Sequence, residues 1–131
     1  MSEESELLAR GREVQKKLWG ERVASTGGGV PAVKVAPEFF ELVAKGCFGM
    51  FWSRPGLDTR SRSLVTVAQL AALGKTEELR GHLMGALNLG IKREELIEVL
   101  MQTSCYAGIP AAVNALNAAA PVLGDAPPAK P

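Results

Sequence analysis

At 131 residues, with 47% apolar residues, the chain is long enough to bury one core and needs no covalent staples. Lys plus Arg total 15 against 14 for Asp plus Glu, so a formal charge of +1 offers no global field to attract nucleic acid or an acidic membrane. The charged N-terminus, "MSEESELLARGREVQKK", lacks the apolar core of a signal peptide, and no apolar run approaches a membrane span, so a soluble cytoplasmic protein is expected.

From Glu3 to about Leu18, the residues Leu7, Leu8, Val14 and Leu18 recur at helical spacing among charges, which predicts an amphipathic first helix ended by Gly20. Residues 20–36 contain "STGGGVP" and then alternate Val33 and Val35 with Ala and Lys, reading as a long connection with a short extended piece. Pro37 opens a second helix, "PEFFELVAKGCFGMFW". Phe40, Val43, Cys47 and Phe51 fall on one stripe of it, with Phe39, Phe48 and Trp52 alongside. Asp58, after the "SRPGLD" turn, is the expected N-cap of a third helix from Thr59 to about Leu73, whose Leu64, Val67, Ala68 and Ala71 share a face.

Thr76 can cap a fourth helix, Glu77 and Glu78 suit its positive N-terminal end, and Gly90 can supply a left-handed C-terminal residue. A fifth helix, about Arg93 to Ala107, carries Leu96, Val99, Leu100, Thr103 and Tyr106 on its apolar side, and Gly108 stops it. Pro110 begins a sixth, "PAAVNALNAAAPVL", whose alanines permit close approach of a neighbouring helix or subunit. No strand-like alternation of useful length occurs. The expectation is an all-α fold of about six helices, a single domain over 1–123 with a flexible tail over 124–131.

Cys47 and Cys105 each sit inside an apolar helical pattern without zinc or redox spacing, and both read as buried thiols. One histidine, with no HxxE or CxxC spacing, argues against a metal site. The "GGG" at 27–29 lacks the Lys-Ser/Thr of a phosphate-cradling loop, so no nucleotide cofactor is indicated. That single histidine, His82, shares a helix face with Glu78 and borders the apolar stripe of Leu79, Leu83 and Ala86. A carboxylate one turn away can fix an imidazole's tautomer and raise its pKa. From pattern alone, a partly exposed ion pair is the commoner arrangement. Arg54, Arg60 and Arg62 read either as solvated charges or as a clamp for carboxylates. Gln102 and Tyr106 also share a face, which is ordinary chemistry for a half-buried tyrosine.

As a set, "W-x-RPGL…RSL", "EELR-x-H", "G-x-x-x-EEL-x-EVL-x-Q" and "YAG-x-PAA" resemble the carboxymuconolactone decarboxylase family, from about Gly11 to about Ala118. The resemblance implies the all-α fold of alkyl hydroperoxidase D-like proteins and a homo-oligomer, trimer or hexamer. It also implies cofactor-free loss of carbon dioxide from a small carboxylated lactone such as 4-carboxymuconolactone. On that basis His82 would deliver the proton, Glu78 would orient it, and Arg62 would bind carboxylate or enolate oxygen. Arg54 and Arg60 would hold a second carboxylate, Trp52 and Tyr106 would wall the pocket, and Gln102 would also bind substrate.

In the peroxidase branch a CxxC precedes the histidine, and here the corresponding positions are Lys75 and Glu78, so a thiol peroxidase role ranks last. Where the decarboxylases usually carry an acid after the glycine of the second helix, this chain has Met50. That departure motivates the alternative of a non-catalytic or differently specific small-molecule-binding oligomer.

Overall fold

The computed structural model describes residues 2–25 and 30–128, and the regular elements among them are all helical. The "GGG" expected to be a loop and the last three residues of the expected tail lie outside the described residues. Among the described residues there are eight helices rather than about six, because the described parts of the connection after the first helix contain two short helices and no extended piece. The chain divides into two units, Met1–Arg62 and Ser63–Pro131.

In the first unit, α1 (Glu3–Trp19) is capped by Ser2, whose hydroxyl accepts from the Ser5 amide at 3.1 Å, and three glutamates sit in its positive first turn. It buries Gly11, Val14, Gln15 and Leu18. Two short helices come next, α2 (Glu21–Ser25) and α3 (Ala32–Val35), the second replacing the expected Val33/Val35 alternation. Then α4 (Pro37–Val43) runs without a break into a π-helical segment, Ala44–Trp52.

The π segment corrects the expected stripe. Bonds from residue i+5 back to residue i, such as Ser53 N–H to the Phe48 carbonyl at 3.1 Å, widen each turn by a residue. The buried set becomes Ala44, Phe48, Gly49 and Trp52, while Phe51 and Cys47 face outward. This segment packs on α1 at very short range: a Cβ on Gly11 would overlap the Ala44 carbonyl, and one on Gly49 would overlap that of Leu7. Only glycine lets the two backbones approach this closely. The Phe48 ring then meets Trp19 edge-on and Trp52 at a tilt, each with centroids 5.7 Å apart.

Helix α5 (Thr59–Leu73) begins where Asp58 accepts the Ser61 amide at 2.7 Å, the expected N-cap. The second unit contains α6 (Thr76–Asn88), α7 (Arg93–Ala107) and α8 (Ile109–Leu123). Its core gathers Val67 and Ala71 from α5, Leu79, Leu83 and Ala86 from α6, Leu96 and Leu100 from α7, and Ala115, Ala118 and Ala119 from α8, together with Ile91. The small residues of α8 allow it close to its neighbours, as the alanine run implied. Arg93 ties the start of α7 to the end of α8 by donating to the Leu123 and Gly124 carbonyls at 2.7 and 3.0 Å.

The turns between these helices are short. Gly90 (φ 88°) allows Ile91 N–H to reach the Ala86 carbonyl and Gly90 N–H to reach that of Leu87, closing α6 in the left-handed geometry that favours glycine. An equivalent closure at the end of α5 bonds Lys75 N–H to Leu70. Lys75 therefore ends one helix and starts the next, and its carbonyl accepts from Leu79 at 2.9 Å. For this reason Thr76 is the first residue of α6 and not its side-chain cap, which corrects that expectation.

Candidate active site

The second unit holds the histidine. On α6, Leu79, Leu83 and Ala86 are buried in the core, which sets His82 at the edge of the apolar face, half-buried with its Nδ1 fully enclosed. Glu78 lies one turn earlier and is exposed. Burial pushes the imidazole pKa down from 6.5 to about 4, and the opposing pull of the Glu78 carboxylate does not prevail. The expectation of a raised pKa is thereby corrected: the carboxylate acts in the expected direction, but desolvation of the ring is the larger effect.

Gln102 and Tyr106 line a groove of about 380 Å³ between α5 and α7, walled by Leu64, Val65, Ala68 and Val99. Tyr106 is 94% exposed, so its expected half-burial is wrong: it occupies the last turn of α7 and projects beyond the packed part of that helix. Thr103, one turn earlier, is buried and donates its hydroxyl to the Val99 carbonyl at 3.1 Å.

The first unit holds the remaining expected residues. Arg62, at the start of α5, turns its guanidinium back over the preceding turn, donating to the carbonyls of Leu57 at 3.0 Å and Arg54 at 3.2 Å. This braces the "RPGL" turn and fixes where Arg54 leaves the backbone. Arg54 and the buried Trp52 line one cleft of about 520 Å³, whereas Arg60 is exposed on the first turn of α5.

Arg10 and Lys17 of α1 line the same cleft, and neither is among the residues that the sequence singles out. Their seven-residue spacing, two turns on one helix face, was the available signal. Cys47 and Cys105 are exposed, not buried as expected. The widened π register turns Cys47 outward, although its sulfur is still desolvated enough to push the thiol pKa up, which disfavours a reactive thiolate. No cluster of three or more potential metal ligands occurs among the described residues.

A model of the carboxymuconolactone decarboxylase family matches residues 37–121. The chain belongs to that family. A 4-carboxymuconolactone decarboxylase of Acinetobacter baylyi is 43% identical to this family member over 88 residues, 67% of this chain and 66% of that protein. A nitrosuccinic acid decarboxylase of Metarhizium robertsii is 32% identical over 85 residues, covering 65% of this chain and 59% of the fungal protein. An uncharacterized protein of Methanocaldococcus jannaschii is 32% identical over 92 residues, 70% of this chain and 85% of the archaeal one. The match thus spans less than two thirds of the length of each of the two named decarboxylases. Every site residue expected from sequence falls inside the matched family region, whereas Arg10 and Lys17 lie before it.

Proposed function

We propose that the chain is a cofactor-free decarboxylase of a small carboxylated lactone, converting 4-carboxymuconolactone to 3-oxoadipate enol-lactone and carbon dioxide in the catabolism of aromatic compounds. The observation that carries this reading is the single imidazole, half-buried with its Nδ1 enclosed, inside the region the family model matches. The similarity to two decarboxylases of small acids supports it.

In such a lactone the carboxylate leaves from the ring carbon that bears the lactone oxygen. Its bonding electrons pass through the ring double bond to the lactone carbonyl, and the resulting dienolate takes a proton on the carbon beside that carbonyl. The substrate is its own electron sink, so the protein has only to bind the acid, stabilise the oxyanion and move a proton.

A neutral His82 suits this sequence. An imidazolium held against the departing carboxylate would stabilise the ground state and raise the barrier. A neutral ring avoids that cost, and the growing negative charge of the dienolate, with Glu78 behind it, raises the proton affinity of the ring as the reaction proceeds, so that it takes a proton from solvent water and passes it to the ring carbon. In this reading His82 carries the proton and Glu78 orients it. Arg62 binds carboxylate or enolate oxygen, and Arg54 and Arg60 take the second carboxylate. Trp52, Gln102 and Tyr106 form the walls. The working form is a cytoplasmic homo-oligomer, trimer or hexamer, for which the apolar side chains exposed on α4, the π segment and α8 are the support.

Carbon dioxide release from 4-carboxymuconolactone by the purified chain tests the reading. His82→Ala should lose about 100-fold or more of turnover while its helical circular dichroism stays intact. Equal turnover in the variant would remove His82 from the chemistry, and no turnover in either would remove this substrate. Met50, half exposed on the π segment, favours a second reading in which the oligomer binds a different small acid or binds without turnover. Saturable ligand binding without carbon dioxide release would support that one.

A further inference from the structure

The groove of about 380 Å³ between α5 and α7 lies wholly within the second unit. Leu64, Val65, Ala68, Ala72 and Val99 give it apolar walls, and none of the residues that line it carries a charge. Tyr106, the chain's one tyrosine, stands at the edge of this groove with 94% of its surface in solvent. Val65, on the α5 wall, is also exposed. An aromatic ring has a large area to bury, and the single chain covers almost none of this one.

One patch thus holds both halves of a contact, a projecting ring and an uncharged groove beside it. A two-fold axis requires this combination, because in an isologous contact the same surface serves as knob and as hole. The patch must also not repel its own copy, and a lining without charge meets that condition. Each Tyr106 would bury about 200 Å² of its own surface and cover a comparable area of wall, so the pair removes roughly 800 Å² from water. That falls short of the roughly 1,000 Å² of a contact that stands alone, and fits one of two contacts in a larger assembly. A hexamer built from trimers needs such a second contact, since a three-fold axis alone closes at three. We infer that two copies of this chain dock through the α5–α7 groove, each receiving the partner's Tyr106. The contact presupposes the homo-oligomer proposed above and assigns its two-fold surface. Gln102, one turn before Tyr106 in the groove lining, then shares the groove with the partner's Tyr106, so that its walls come from two chains.

Light scattering after size exclusion of the full chain tests it. Tyr106→Ala and Val65→Glu should each halve the mass of the wild type, the first by removing the ring and the second by placing a carboxylate in the groove. Tyr106→Phe, which keeps the ring, and Lys34→Gln, on exposed α3, should leave the mass unchanged. Because Tyr106 packs on almost nothing in the single chain, its truncation should leave the helical circular dichroism intact. Acetylation by N-acetylimidazole reads the ring itself, since the chain has one tyrosine: it should be slow in the wild type and fast in Val65→Glu.

A monomeric wild type, or Tyr106→Ala and Val65→Glu chains of wild-type mass, would overturn the proposal. So would a tyrosine acetylated as fast in the wild type as in Val65→Glu, or phenol bound in the groove of a chain that stays single, which would assign the groove to a small ring compound. The halved masses, together with a wild type that releases no carbon dioxide, would leave this contact standing and sink the decarboxylase reading. Turnover by a monomer would do the reverse.

Discussion

Glu78 and His82 stand one turn apart on α6, and the carboxylate does not keep the imidazole charged. Burial of the ring holds its pKa near 4, so His82 is neutral throughout the physiological range. A proton carrier in this state acts only when a substrate brings negative charge to it, which ties its protonation to the occupancy of the site.

That arrangement can be measured directly, because the chain has one histidine and its ring resonances in an NMR titration are unambiguous. The midpoint should fall near pH 4 in the wild type and lower still in Glu78→Gln, which removes the one upward pull. A midpoint near 6.5 would refute the burial.

The same shift has a sign in stability. Between about pH 4 and 6.5 the unfolded chain binds a proton at His82 that the folded chain refuses, so the unfolded state gains as pH falls. The contribution is complete above 6.5 and is lost progressively towards 4. Urea unfolding at pH 7, 6 and 5 should show the wild type losing stability faster than His82→Ala. Parallel slopes for the two would contradict the linkage.

Gly11 and the Ala44 carbonyl set how closely α1 approaches the π segment. Gly11→Ala forces two backbones apart and should destabilise the chain by about 1–3 kcal/mol. Gly46→Ala adds a Cβ that meets no neighbouring atom and should change stability by less than about 1 kcal/mol. Urea midpoints for the two variants provide the check, and equal effects would mean that the close approach is not what fixes this packing.

On α8, Ile109 and Val113 are 69% and 48% exposed at four-residue spacing, while the opposite face of the helix is buried in the second unit's core. Light scattering after size exclusion should find a homo-oligomer for the wild type and a smaller species for the double variant Ile109→Glu, Val113→Glu. An unchanged mass in the variant would locate the subunit contact elsewhere.

Where glycine closes a helix and apolar residues keep the 3.6-residue period, the sequence is legible: its pattern places the fifth helix at Arg93 to Ala107, the bounds the structure has. Periodicity alone cannot report a change of hydrogen-bond register, and for that reason it points Cys47 and Phe51 inward. Four residues of Val/Ala/Lys alternation are too few to separate a strand from the short helix α3. For the site, one-turn spacing pairs Glu78 with His82 correctly, but spacing carries no information on depth. Depth decides the direction of the imidazole shift and the exposure of Tyr106. Arg10 and Lys17 do not stand out in the sequence because charges on the polar face of an amphipathic helix look alike whether or not a cleft lies over them.

The π segment also sets how much change of length this chain can absorb. Every side chain after Val43 is aimed by a turn that carries one residue more than an α-turn, so removing a single residue there would restore the tighter register. The chain beyond the deletion would then swing round the axis by about 100°, the angular step of one α-helical residue, carrying Trp52 off its wall and Arg54 away from Arg10. A one-residue deletion scan should therefore find residues 44–52 intolerant and residues 30–36, which bury no side chain, permissive.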